Sequence, residues 1–253
     1  MDELRGKVAI VTGASTPIGI GNAIAKRLAR AGASLLLVAE GTREHLDAVA
    51  RECRAAPGVG TVETLLADLA KAGEAERMVA HADQVFGRVD ILINNAAARA
   101  SMPFGTYTHA QFDTVVGVNI MAPFFASQAV LPIMRRQGGG RIIHIASQLG
   151  HVSFEQRALY GLTKAAVIHL TKSMAIELGR ENILVNAISP GPIDTGRRLV
   201  NGPEITRQLV SNVPFGRLGE PDEIAEVAYF LATSSPSFLQ GQDIVVDGGY
   251  IIH

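Results

Sequence analysis

Tyr160 and Lys164 stand four residues apart in YGLTK, and Ser147 closes IIHIAS thirteen residues upstream of the tyrosine. On a helix, residues at i and i+4 share one face, a turn apart. A tyrosine with a pKa of about 10 is a poor proton shuttle near neutral pH. An ammonium about 4 Å away, at an effective dielectric of about 20, is worth roughly 4 kcal/mol, or about 3 pKa units. Desolvation of the phenolate opposes that gain. The spacing therefore suits a general acid/base working on an alcohol or carbonyl oxygen, which a serine hydroxyl such as that of Ser147 can orient. Alone, the Tyr–Lys pair reads equally well as two residues on an exposed amphipathic face.

A second candidate is TGASTPIGIG, Thr12–Gly21. It lies between a strand-like run and a helix-like run, where small residues let a backbone approach a pyrophosphate and a helix N-terminus faces an anion. Its spacing is Gly-x5-Gly-x-Gly, which departs from the dinucleotide fingerprint G-x-G-x-x-G. Pro17 in its middle has no N–H to offer an anion. By itself, the stretch is also compatible with a plain tight turn.

The elements that must position these residues alternate along the chain. Candidate strands are 7–12, 34–39, 62–67, 90–95, 140–146, 183–189 and 243–247, all nearly continuous in Val, Ile and Leu. Such runs fit strands buried on both faces of a parallel sheet. Amphipathic stretches such as GNAIAKRLARAG, REHLDAVAREC and GEAERMVAHADQVFG lie between them and end near glycine. Two longer helices are expected over 108–136 and 157–179. The alternation predicts an α/β fold: a single doubly wound Rossmann-type domain over 1–253, with a parallel seven-stranded sheet. Ligands of such sheets bind beyond the C-terminal strand ends, where the candidate residues fall.

Bulk properties narrow the function. Apolar residues make up 47% of the 253, and Lys+Arg 23 against Asp+Glu 24 leaves a net charge of −1, so nothing favours nucleic acid or an anionic membrane. No apolar run is read as a membrane span, and the charged N-terminus carries no signal-peptide pattern, so a cytoplasmic protein is expected. The single cysteine, Cys53, cannot form an internal disulfide and reads as a packing residue; the scattered histidines suggest no metal cluster.

Taken together, the glycine loop, NNA at 94–96, Ser147, YxxxK at 160–164, PG at 190–191 and the closing DIVVDGGY resemble the short-chain dehydrogenase/reductase family, over nearly the whole chain. Combined, these motifs are specific. The resemblance implies an NAD(P)-dependent oxidoreductase that interconverts a secondary alcohol and a ketone, with Asn119, Ser147, Tyr160 and Lys164 as catalytic residues. Asn119, in VGVNIMAP, matches the family's helix asparagine, which supports a water relay to the lysine. A 3-oxoacyl-thioester reductase and a catalytically silent nucleotide-binding relative are the alternatives.

The family's loop reads T-G-x-x-x-G-x-G. Matching from the right keeps Gly13, Gly19 and Gly21 and makes the loop two residues longer, with Pro17 at its apex. Ser15, Thr16 and Ile20 then become phosphate-lining candidates. The family also implies Asn94 and Ala96 in the cofactor groove, Pro190, Gly191 and Ile193 beside the nicotinamide, Thr195 bonding it, and Asp68 near the adenine. A plain helix cap is the other reading of Asp68. Ala97 replaces the glycine of the usual N-N-A-G. Glu40, nineteen residues after Gly21, suits the adenosine ribose hydroxyls and would repel a 2′-phosphate, which favours NAD over NADP. The alternative turns Glu40 to solvent and lets Arg43 hold the phosphate.

On the substrate side, three segments are expected to wall the site: 96–104, 148–157 and a lid over 195–212. His151 and Leu199 are the candidate substrate contacts. Met102, Phe104, Val152 and Phe154 suggest a medium-sized neutral ketone or alcohol. Arg197 and Arg198 are read as a solvated pair, with a grip on an anionic substrate as the alternative; Arg99 is left open in the same way, and Arg157 is given no role. The two long helices imply a homotetramer, as is common in the family.

Overall fold

The computed structural model describes residues 3–196, 204, 207, 209–233 and 238–252. Leu199, Arg197, Arg198 and most of the expected lid lie outside the described residues. Seven strands form one wholly parallel sheet: β1 (Val8–Thr12), β2 (Ser34–Ala39), β3 (Val62–Leu66), β4 (Ile91–Asn94), β5 (Gly140–Ile145), β6 (Ile183–Pro190) and β7 (Asp243–Val246). Their order is β3-β2-β1-β4-β5-β6-β7. The chain winds outward from β1 to one edge and then from β4 to the other. Neighbouring β1 and β4 therefore feed loops in opposite directions, and a crevice opens between them at the C-terminal edge.

The helices are α1 (Ile20–Arg30), α2 (Arg43–Arg54), α3 (Glu74–Phe86), α4 (His109–Val116), α5 (Ala122–Arg136), α6 (Ala158–Leu178) and α7 (Pro221–Ala232). Strand side chains alternate between two layers. Ala9, Val11, Leu35, Leu37, Ile91 and Ile93 pack with α1, α2 and α7. Ile10, Leu36, Val38 and Leu92 pack with α3 and α5. Since each face meets a helix layer, the central positions of β1, β2 and β4 are apolar on both faces, which explains the nearly unbroken hydrophobic runs. Burying each Leu or Ile contributes about 1.5–3 kcal/mol.

The N-terminal ends of the strands are tied by Asp90. Its carboxylate accepts from Val8 N at 2.9 Å, Lys7 Nζ at 3.1 Å and the Arg88 guanidinium at 2.7 and 2.8 Å. Burial alone would raise this carboxyl; the bonds from Arg88, Val8 and Lys7 outweigh it and hold the group below the ordinary aspartate range. This anchor sits opposite the chemistry and leaves the other edge free for it.

Between α4 and α5 the helix widens into a π turn over Gly117–Met121. Gly117 lies against Ala70, where an added Cβ would come within 2.9 Å of its carbonyl oxygen. The π turn carries Asn119, 2% exposed, toward the sheet. One feature corrects the expectation of no membrane-length apolar segment: His109–Arg136 meets that test by length and composition, with mean hydropathy 1.5 over its window. Half of that window is buried in the fold, where α5 packs on α3, β4 and β5. Core packing accounts for the buried half of its apolar residues, while Phe112, Met121, Phe124 and Phe125 stay exposed.

Candidate active site

The loop after β1 is held shut by one amide. Asn95 Nδ2 donates to the carbonyls of Thr12 at 2.7 Å and Gly13 at 3.2 Å, while Thr12 Oγ1 accepts from the backbone N–H of Asn95 and Ala96, each at 2.9 Å. These bonds tie β1 to β4 at the switch point. Gly13 has φ +69, and a Cβ there would press on the Ala96 backbone at 2.9 Å. A Cβ on Gly21 would run into the Gly13 carbonyl and come within 2.5 Å of Asn95 Nδ2. The glycines thus allow the loop to close on itself. Pro17 is absent from the walls of the cleft and donates nothing; its carbonyl accepts from Asn22 Nδ2 at 2.7 Å, at the start of α1.

A cleft of about 480 Å³ runs from this loop across the ends of the strands. Gly13, Ser15, Thr16, Gly19, Ile20 and Gly21 line one end. Glu40 borders it at the end of β2, and Ala96 lies beyond β4. Pro190, Gly191, Ile193 and Thr195 form the wall after β6. Ser147, Tyr160 and Lys164 face the same space.

The acid/base pair is built by β5 and α6. Tyr160 and Lys164 are 4% and 3% exposed, one helical turn apart on the buried face. Lys164 Nζ donates to the Ile145 carbonyl at 2.7 Å and lies 5.6 Å from the centre of the Tyr160 ring. Ser147 Oγ accepts from Leu149 N at 3.2 Å, which orients the hydroxyl. Burial would raise the Tyr160 phenol. The charges of Lys164 and Arg99, with hydrogen bonding to Arg99 and Ser147, outweigh it and bring the phenol below the ordinary tyrosine range. Burial also pulls the Lys164 ammonium down; Tyr160 opposes that and Arg99 adds to it.

Four expected site residues sit elsewhere. Asn94 is buried, with Nδ2 3.3 Å from Ser127 Oγ and 3.2 Å from His144 Nδ1, so it belongs to the layer beneath the cleft. Asp68 does not line the cleft, although Ala67 and Leu69 on either side do; its carboxylate accepts from Ala70 N at 3.1 Å and pairs with Lys71 at 3.3 Å. That is a local turn bond in the loop after β3; α3 begins at Glu74 with Gly73 at its N-cap, so Asp68 does not cap that helix. His151 turns away from Tyr160, with Nε2 2.6 Å from Asp243 Oδ2, and with Val152 and Phe154 lines a separate hollow. Asn119 is not on the wall of the large cleft; with Asn94 and Lys164 it lines a small cavity of about 10 Å³ that shares Lys164 and Ile145 with the cleft. Its amide clamps one residue of the β4 loop: Oδ1 accepts from Ala98 N at 2.8 Å, and Nδ2 donates to Ala98 O and Thr163 Oγ1, each at 3.0 Å. It acts on the site by holding that loop.

Reading the sequence gave no role to Asn95, the neighbour of Asn94, or to Arg157, and left Arg99 open; all three line the cleft. Strand alternation could have found Asn95, because Asn94 continues the Leu92 face into the core. Nothing local to the sequence marks Arg157. Beneath Lys164, His144 is fully buried; burial, with the charge of Lys164, pushes its imidazole down to about 3, so it is neutral and carries its proton on the unpartnered Nε2. The Cys53 thiol, raised to about 11 chiefly by burial, is inert packing, as expected.

A doubly wound parallel sheet with a glycine loop at its switch point and a buried Tyr–Lys pair facing the same cleft defines a nucleotide-dependent oxidoreductase site. A family model described as enoyl-(acyl carrier protein) reductase matches residues 13–251. A 3-oxoacyl-[acyl-carrier-protein] reductase FabG of Thermotoga maritima is 33% identical over 249 residues, covering 98% of this chain and 99% of the relative. A 3alpha-hydroxysteroid dehydrogenase of Mediterraneibacter gnavus is 35% identical, with 97% of each covered. A Serratia marcescens short-chain dehydrogenase/reductase superposes with TM-score 0.91 at 36% identity, covering 98% of this chain and 99% of that one. The chain belongs to the short-chain dehydrogenase/reductase family, whose members are oxidoreductases using NAD or NADP.

Proposed function

We propose that this chain interconverts a secondary alcohol and a ketone, with Tyr160 as the general acid/base. The observation that carries the reading is the convergence of Ser147, Tyr160 and Lys164 on the cleft that begins at the glycine loop. A nicotinamide, when bound, supplies the hydride acceptor or donor. Ser147 orients the reacting oxygen. Tyr160 gives its phenolic proton to that oxygen during reduction and takes it back during oxidation. Lys164 stabilises the phenolate, and the carbonyl of Ile145 fixes its ammonium.

The reading favours NAD. Glu40 borders the cleft, whereas Arg43, the candidate 2′-phosphate ligand, is not among the residues that line it. Separate titrations with NADH and NADPH, followed by nicotinamide fluorescence, test this without a known substrate. NADH binds tighter by about tenfold or more, and Glu40→Ala narrows the gap. Tighter NADPH binding would reverse the assignment.

The relatives named as acyl-carrier-protein reductases favour a second reading, a 3-oxoacyl-thioester reductase. Faster reduction of a 3-oxoacyl thioester than of any free ketone or acid would establish it.

The proposal includes a homotetramer. The segment from α4 to α5 leaves Phe112, Met121, Phe124 and Phe125 exposed, and α6 leaves Leu162 and Ile176 exposed. Light scattering on the purified protein should give the mass of four chains; that of one chain would refute it.

A further inference from the structure

Two guanidinium groups border the cleft that holds the catalytic tyrosine, and the acid/base mechanism uses neither as a ligand for substrate. Arg99 Nη2 lies 3.5 Å from the Tyr160 hydroxyl, and its Cζ stands 4.9 Å above the ring centre. Arg157, just before α6, bonds Ser101 Oγ and lines the same cleft. It follows Gln156, whose φ of 59° is the left-handed conformation that a non-glycine residue adopts only when its surroundings enforce it. Neither arginine has a carboxylate partner among the described residues, in contrast to Arg27, Arg77, Arg88, Arg135, Arg136 and Arg217. The Asn119 clamp on Ala98 fixes the root of Arg99. The acidic residues on the cleft walls are Glu40, after β2, and Asp194, after β6.

We propose that Arg99 and Arg157 form a carboxylate clamp, so that the substrate is a short hydroxy or oxo acid. This rests on the alcohol/ketone reading above and names its substrate class. The spacing sets the length. A reacting oxygen sits about 2.7 Å from the tyrosine hydroxyl and a carboxylate oxygen about 2.8 Å from a guanidinium nitrogen. The two anchors are 3.5 Å apart. With both bonds directed into one cleft, the two substrate oxygens lie a few ångströms apart, which is the span of a 2- or 3-oxo acid. The phosphate of an acyl-carrier arm is separated from the reacting ketone by the whole arm and cannot reach Arg99 while the ketone meets Tyr160. A thioester is uncharged where the clamp is cationic. Arginine suits the role because its planar fork bonds both oxygens of a carboxylate. The inference replaces the neutral substrate expected from Met102, Phe104, Val152 and Phe154. Of these, Val152 and Phe154 line the separate hollow, and Phe104 is 84% exposed.

The test compares 2-oxobutanoate and 3-oxobutanoate with their methyl esters, using NADH and NADPH as reductants. The wild-type protein should prefer one of the acids over its ester in kcat/KM. Arg99→Gln should lower that acid-to-ester ratio roughly 10- to 100-fold, the range of a charge-assisted bond. Arg99→Lys should restore part of it, and Arg157→Gln should lower it by a smaller factor. An ester preferred over its acid in the wild type, or a ratio that Arg99→Gln leaves unmoved, would overturn the clamp. If neither acid nor ester is reduced, the alcohol/ketone reading fails instead, and calorimetry of 3-oxobutanoate on the NADH-loaded protein decides the clamp. Binding that Arg99→Gln abolishes sustains it; no binding by the wild type ends it.

Discussion

Tyr160→Phe lowers kcat by on the order of 10³-fold and leaves NADH affinity within a few-fold of wild type. The magnitude is that of losing a positioned general acid/base. Phenylalanine keeps the ring that fills its buried site between Arg99 and Lys164, so the variant removes one oxygen and little packing. Its melting temperature should stay within a few degrees of wild type. Stopped-flow and steady-state measurements on the best carbonyl substrate provide the check; near-normal turnover would remove Tyr160 from the chemistry. The wild-type pH profile should carry the same signature. Alcohol oxidation needs the phenolate, and Lys164 and Arg99 outweigh desolvation to hold the phenol below its ordinary range. The rate of oxidation therefore rises with pH and reaches its plateau before an unperturbed tyrosine would. Lys164→Met should move that rise to higher pH.

Gly21→Ala is the second large effect, and it is structural. The added methyl meets the Gly13 carbonyl and Asn95 Nδ2, the two groups whose bond closes the loop between β1 and β4. Backbone cannot give way as a flexible side chain can. The expected loss is about 2–4 kcal/mol, or roughly 4–16 °C in melting temperature for a chain of this size. Cofactor affinity should fall with it. Gly105→Ala is the control: nothing lies within 4 Å of the added Cβ and its φ is not positive, so stability should change by less than about 0.5 kcal/mol. Equal melting temperatures for the two variants would show that the loop relaxes around the methyl.

The strands were legible to within about one residue, because burial on both faces writes itself into the sequence as unbroken Val, Ile and Leu. The Tyr–Lys pair was legible because a helix fixes which residues share a face. Legibility failed where a role depends on a distant partner. His151 is claimed by Asp243, ninety-two residues away, across a pairing that no local pattern encodes. Asn94 and Asn95 look interchangeable as letters, and only the strand pleat separates the buried one from the one at the loop. Arg99 and Arg157 come from different loops, and each looks like an ordinary surface charge until the fold brings them to one cleft.

The Asn119 amide grips both backbone polar atoms of a single residue, Ala98, and a hydroxyl of α6. Mechanically, it is a rivet at the foot of the segment that approaches the substrate. Everything before Ala98 is bolted to the proton-handling machinery, and everything from Arg99 onward is cantilevered from it. Selectivity can therefore be rewritten from Arg99 outward, by exchanging loops, while the acid/base geometry stays on the fixed side of the joint.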